Sequence, residues 1–356
     1  MLKMNEFIAI THPGIEEITA IEVSEILGVK SEISDSYIRF SCSLEDACRF
    51  CYLARSIRKV LLFIGDDKDI DAEPFLHTEK TFAVRCTREG DQDFSSNDME
   101  KKIGAMIHER YGSKADLDDP QVPVHVFARN ETIIAGIDLA GFDMSKRTFH
   151  VFNNPKMLKG TIAYALCRMS GFKGKGMMID PFTRSGCIPI EAALYATGKS
   201  VHFFDKDKFA FHRFTEVDLL DEEKEIEADI VGYDKELRHV KSSQKNAKIA
   251  GVTKEVSFSK ADIEWLDTKK KQDEVDFVVT YLPEQSRFVA EKEIRKTYKE
   301  LFYHLDFIMK KGATFVAAGS SPLLLEIADE YKFKLEEETD IWQGQMQVPV
   351  AVLKKR

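Results

Sequence analysis

From about residue 150 onward, short runs of consecutive apolar residues alternate with segments of helical period. "GMMID", "ADIVGYD", "VSFSKAD", "VDFVVT" and "ATFVAAG" read as strands. "GTIAYALCRMSGF", "IPIEAALYATG", "ELRHVKSSQKNAKIAG", "IRKTYKELFYHLDFIMKKG" and "PLLLEIADEY" read as helices between them. Non-alternating apolar strands flanked by helices predict an α/β fold with a parallel sheet covered on both faces. "GQMQVPVAVLKKR" predicts a terminal antiparallel strand, and 199–228 an insertion with aromatic residues and an acidic helix.

The first 150 residues follow another rhythm. "FIAITHPGIEEITAIEVSEILG" runs from a strand through a Pro13-Gly14 turn into a helix. Ile15, Ile18, Ile21, Val23, Ile26 and Leu27 are spaced for one buried face. "SYIRFSCS" reads as a strand and "LEDACRFCYLARSIRKVLLFIG" as a helix running into another. The acidic stretch 66–74 reads as a linker. Beyond it come a strand ("TFAVRCTREG"), a helix with a Ser/Asn/Asp start and a Gly112 stop, and two strands joined at Asn130-Glu131. The pattern divides the chain at 1–65, 66–147 and 148–356.

Composition narrows the class. With 44% hydrophobic and 31% charged residues, the chain has the mix of a globular protein with a sizeable core. No apolar run nears the roughly 18 residues that cross a bilayer, and "MLKMNEFIAITHPG" lacks a signal-peptide pattern, so a cytoplasmic protein is expected. Residues 1–150 hold 18 Lys/Arg against 27 Asp/Glu, and 151–356 hold 33 against 33, so the net charge of −9 lies in the first part. Any nucleic-acid contact must therefore use local basic patches. The Cys48–Cys51 pair has no companion ligands and reads as the apolar face of a helix rather than a metal site.

In such a sheet, ligands bind beyond the carboxyl ends of the strands. Three strands end in Asp180, Asp234 and Asp262. Each alone also fits a helix cap. In that order, ahead of a strand and Pro turn at 276–284, they suit a cofactor bearing adenosine without phosphates, S-adenosylmethionine. The turn after Asp180 is neither GxGxxG nor GxxxxGK[ST], so a dinucleotide or phosphate site is poorly supported.

"DPFTRSGCIPIEAAL" resembles the DPFCGSGTIPIEAA motif of THUMP-containing tRNA (guanine-N2)-methyltransferases. The region from "RCTREG" to "RTFH" resembles a THUMP domain, and "THPGIEEITAIEVSEILG" the ferredoxin-like unit before it. The resemblance covers nearly the whole chain and is weakest at 199–228. It implies ferredoxin-like and THUMP α+β domains, then a Rossmann-like methyltransferase with a seven-stranded doubly wound sheet. It further implies that Asp180, Phe182, Ser185 and Gly186 wrap the methionine part of the cofactor, with Thr161 and Thr280 beside it. Asp234 would hold the ribose, and Asp262 with Ile263 the adenine. The partner would be tRNA or another structured RNA, bound by a monomer with no membrane attachment.

The chain departs from the family pattern twice. Thr183-Arg184 stands where the family has Cys-Gly, and Arg184 could reach the cofactor carboxylate or face solvent. Tyr281-Leu282-Pro283-Glu284 stands where the family has Asn/Asp-Pro-Pro-Tyr/Phe, although Thr280 and Arg287 fit. Guanine N2 is a weak nucleophile whose hydrogens must be held by acceptors. The Leu282 carbonyl, the Tyr281 phenol and the Glu284 carboxylate are the candidates. Two readings stay open: a methyltransferase with a rearranged motif, and a non-catalytic RNA-binding relative. A third, a methyltransferase acting on ribosomal RNA or another substrate, is weakened by the THUMP resemblance. Arg85, Arg88, Lys101, Lys102, Lys146 and Arg147 are the candidate RNA contacts.

Overall fold

The computed structural model describes residues 5–154, 157–221, 223–284 and 289–356. The chain forms two compact units. The first comprises the segment ending at Thr11 together with Thr19–Met144 and His202–Leu220; the second comprises His12–Ile18, Ser145–Val201 and Asp221–Arg356.

The first unit is built on one eight-stranded sheet. Its strands are β1 (Asn5–Thr11), β2 (Ser31–Ser34), β3 (Tyr37–Cys42), β4 (Ile57–Gly65), β5 (Thr81–Glu89), β6 (Lys114–Ala115), β7 (Val122–Arg129) and β8 (Thr132–Asp138). They lie in the order β2-β3-β1-β4-β8-β7-β5-β6. The two N-terminal regions read from sequence therefore share one sheet, joined where Leu61 of β4 pairs antiparallel with Asp138 of β8. The acidic stretch 66–74 is not a loose linker. Ile70 and Ala72 are buried, and the Tyr111 hydroxyl accepts from the Ala72 amide at 2.7 Å.

Three helices accompany this sheet: α1 (Glu16–Leu27), α2 (Leu44–Leu53) and α3 (Ser96–Tyr111). A Ser95–Asp98 capping box starts α3, and Gly112, with φ of 68°, ends it. The face expected for α1 needs correction, because Ile21 is exposed. Thr19, Glu22 and Val23 are its buried positions, and the Glu22 carboxylate accepts from the amides of Arg55 (2.8 Å) and Ser56 (3.0 Å). Cys48 and Cys51 lie buried on α2, and burial pushes the Cys48 thiol up to about 12. Among the described residues no cluster of His, Cys, Asp and Glu could hold a metal ion.

The segment read as an insertion joins this first unit. It holds two 3-10 turns, Phe203–Lys208 and Ala210–Arg213, and no acidic helix among its described residues. Its charged tail buries Val217 and Leu219 only in part. Phe209 and Phe211 instead enter the core, with Phe209 6.1 Å from the Tyr52 ring.

The second unit carries a seven-stranded sheet of β9 (Lys175–Asp180), β10 (Glu227–Asp234), β11 (Val256–Lys260), β12 (Val275–Tyr281), β13 (Met309–Ala318), β14 (Phe333–Gln343) and β15 (Met346–Lys355). Its order is β11-β10-β9-β12-β13-β15-β14. All pairs are parallel except those made by β15, the antiparallel strand expected from the sequence. Helices α4 (Gly160–Met169), α5 (Cys187–Thr197), α6 (Leu237–Ala250), α7 (Leu266–Lys269), α8 (Glu291–Ile308) and α9 (Pro322–Glu330) belong to this unit. Strand β14 escapes sequence reading because "KLEEETD" is a charged edge strand with no apolar run. The strand order reverses between β9 and β12, the topological position at which such sheets bind ligands.

Among the described residues no helix is long and apolar enough to cross a membrane.

Candidate active site

Strand β9 ends at Asp180, almost wholly buried at the head of the turn into α5. Its Oδ1 accepts the Thr280 hydroxyl at 2.5 Å and the Phe182 amide at 3.1 Å. Burial raises the Asp180 carboxyl to about 7; those two bonds and nearby Arg184 oppose the rise. The turn closes with Gly186 (φ 81°), where a Cβ would stand only 2.9 Å from Cβ of Ser243. That close approach requires glycine.

Asp234 at the end of β10 is held by three donors. Oδ2 accepts from the Arg184 amide (3.0 Å), and Oδ1 from the Glu236 amide (2.9 Å) and His239 Nδ1 (3.0 Å). With its proton on Nδ1, His239 turns Nε2 to the Asn154 amide nitrogen at 3.3 Å. Asn246 on α6 clamps the neighbouring loop, accepting from the Phe152 amide and donating to the carbonyls of Phe152 and Ser185. His239 shows no constellation in the sequence; only its i+5 spacing from Asp234, across the strand–helix turn, hints at the contact.

Phe182, Arg184, Asp234, His239, Asp262 and Ile263 line a cleft of about 460 Å³. Asp180, Ser185 and Tyr281 line a smaller space of about 20 Å³ beside it, together with Arg184. The hydroxyls of Thr161, Thr183 and Ser185 are buried and have no hydrogen-bond partner among the described residues. Such hydroxyls can serve a polar ligand. Together with carboxylates at three strand ends, they fit a ligand with an amino acid part, a ribose and an adenine.

After β12 each residue from Tyr281 to Glu284 is tied. Leu282 donates its amide to Ala318 O at 2.9 Å, and the Tyr298 hydroxyl donates to Pro283 O at 2.9 Å. The Tyr281 hydroxyl donates to Glu284 Oε1 at 2.9 Å, and burial with Glu284 beside it lifts the phenol to about 12. Arg184 is half-buried and reaches this turn. Its guanidinium lies 4.4 Å from the Tyr281 ring centroid and donates to Leu282 O at 3.0 Å. The two departures from the family motifs thus touch one another. Burial lowers the Arg184 guanidinium from its usual value, and the acidic groups around it oppose this. Arg287 lies outside the described residues.

The basic residues named from sequence do not share one fate. Arg147 is no surface contact: its side chain is wholly buried, with Nε 2.7 Å from Glu191 Oε1. Lys102 pairs with Asp67 at 2.6 Å. Arg88 is exposed and donates to Phe94 O, and Lys146 is exposed. Arg85 and Lys101 line a groove of about 540 Å³ in the first unit, with Phe82, His108, Lys114 and Leu117.

Comparison with known proteins agrees with this architecture. Residues 147–347 match the RMKL-like methyltransferase domain family, 68–138 the THUMP domain and 6–61 the RlmL ferredoxin-like domain. A tRNA (guanine(6)-N2)-methyltransferase of Methanocaldococcus jannaschii is 29% identical over 90% of each chain. The ribosomal RNA large subunit methyltransferase K/L of Photobacterium profundum is 25% identical over 93% of this chain and 51% of its own. Among solved structures, TrmN from Thermus thermophilus superposes with a TM-score of 0.74 at 22% identity, covering 99% of this chain and 100% of its own. SMU.472, solved in complex with SAH, superposes with a TM-score of 0.80 at 17% identity, covering 100% and 99%. At these identities the two structures speak for the fold. The family match extends over more than half the chain and contains the cleft, both strand-end turns and the Arg184–Tyr281 contact, so this protein belongs to the RMKL-like methyltransferase family.

Proposed function

We propose that this protein transfers a methyl group from S-adenosylmethionine to the exocyclic N2 of a guanosine in the acceptor stem of tRNA. The relatives named for tRNA guanine-N2 methylation support the substrate, and the THUMP match supports an RNA partner. The observation that carries the reading is Asp234 and Asp262 lining one cleft, with Asp180 in the small space beside it next to the tied acceptor turn. Asp180, Ser185 and Thr161 would hold the amino acid part of the cofactor, Asp234 the ribose, and Asp262 the adenine. When bound, the cofactor supplies an electrophilic methyl on a sulfonium.

The chain's own task is to orient the acceptor. Glu284 is the carboxylate of the turn, and a carboxylate can accept from both N1–H and N2–H of guanine. Adenine presents an acceptor at N1 and is rejected by the same group, since a buried acceptor facing an acceptor is left unpaired. The hydrogen bond from Tyr281 holds Glu284 in place. After transfer, Glu284 takes the proton lost by the amine.

One observation favours the non-catalytic reading: Arg184 already engages the Leu282 carbonyl, occupying one of the turn's acceptor lone pairs. Incubation with labelled cofactor and unmodified tRNA transcripts separates the two. Label recovered as N2-methylguanosine supports the enzyme. Binding of S-adenosylhomocysteine and tRNA without any transfer overturns it in favour of the RNA-binding reading.

A further inference from the structure

Arg184 sits in a backbone conformation that argues for a purpose. Its φ is 50°, in the left-handed region that glycine adopts freely and a long side chain adopts at a cost. The residue is fastened on both sides: its amide donates to Asp234 Oδ2 at 3.0 Å, and its carbonyl accepts the Ser243 hydroxyl at 3.1 Å. The backbone thus belongs to the ribose-side wall of the cleft, while the guanidinium reaches the acceptor turn. Ring contact at 4.4 Å and the bond to Leu282 O fix the turn from one side. Gly319 fixes it from the other; a Cβ there would meet the Tyr281 ring at 3.0 Å and Glu284 Oε1 at 3.3 Å.

We infer that Arg184 is a positioning residue, bridging Asp234 of the cofactor cleft to the acceptor turn so that Tyr281 presents Glu284 to the amine. Its planar guanidinium is what the role demands. It stacks on a phenol ring while donating an in-plane N–H to a carbonyl, whereas an ammonium is a compact point charge with no planar face to stack. Arg184 thereby occupies one lone pair of Leu282 O, and Glu284 accepts N1–H and one hydrogen of the substrate amine. The inference rests on the methyl-transfer reading above and deepens it.

The test measures Arg184→Gly and Arg184→Lys beside the parent protein. Glycine suits the backbone angle, so the variant keeps the loop while losing the side chain. The expected result is S-adenosylhomocysteine binding within about threefold of the parent in both variants. The kcat for transfer to tRNA falls at least tenfold in Arg184→Gly and by less in Arg184→Lys, with KM for the cofactor unchanged. Equal kcat in parent and Arg184→Gly overturns the inference, as does a loss confined to cofactor binding. A parent protein that binds cofactor yet transfers nothing overturns the methyl-transfer reading instead, and is recognised from the parent alone.

Discussion

Arg147 and Glu191 form a bidentate pair, with Nε 2.7 Å from Oε1 and Nη2 3.3 Å from Oε2, and neither side chain has any exposure. The pair also dictates its neighbour: a Cβ on Gly160 would stand 2.3 Å from Glu191 Oε1 and 2.6 Å from Arg147 Nε.

Breaking this pair from either side strands a buried charge. Arg147→Ala or Glu191→Ala is expected to destabilise the protein by about 3–5 kcal/mol, whereas an apolar double replacement is close to neutral. Gly160→Ala, which pushes the pair apart, is expected to be destabilising too. Urea unfolding of the four variants checks the order.

Asp180 predicts a pH dependence. Its carboxyl is raised from 3.8 to about 7 in the folded chain. Free of cofactor, it favours the folded state most below pH 3.8, and that contribution is lost as pH rises to about 7. A cofactor ammonium beside it favours the ionised form. Affinity is therefore expected to rise up to tenfold per pH unit below about 7 and then level off, with a proton released on binding. Calorimetry in buffers of different ionisation heat reads the proton, and Asp180→Asn abolishes both effects.

His239 is expected to tune cofactor affinity through Asp234 rather than by touching the reaction. Removing a hydrogen bond to a charged group costs about 1.5–3 kcal/mol. His239→Ala should weaken S-adenosylhomocysteine binding by roughly ten- to a hundredfold, with kcat at saturating cofactor little changed. A fall in kcat without a change in affinity would contradict this role.

The first unit carries its own acid sensitivity. Burial, with Lys59 nearby, lowers His125 from 6.5 to about 3. The group is neutral in the fold and charges on unfolding, so its stabilising contribution is complete above pH 6.5 and is lost as pH falls towards 3. A His125→Asn variant should lose stability less steeply over that window, as followed by circular dichroism against urea at each pH.

Arg85 and Lys101, beside the groove of the first unit, are proposed as RNA contacts. Charge reversal at either should weaken tRNA binding and reduce the slope of log affinity against log salt by about one. Arg147→Lys, at a buried site, should leave that slope unchanged. Filter binding across a salt series measures all three.

Period and run length determined the parallel strands, the helices between them and the closing antiparallel strand. These signals survive because burial on two faces demands unbroken apolar runs. Strand β14 was not legible, since an exposed edge is kept charged. Nor was the shared eight-stranded sheet, because pairing between β4 and β8 is set by register across 70 residues and not by local composition. In the site, the order of Asp180, Asp234 and Asp262 could be read from the sequence, each standing where an apolar run stops. What each side chain does there could not. A long arginine names a charge but not a direction, and only packing turned Arg147 inward to Glu191 and Arg184 across to Tyr281. The sequence determined which groups stand at the strand ends; the tertiary structure decided which of them meet, because those contacts join residues as far apart as 100 positions and depend on the sheet that brings them together.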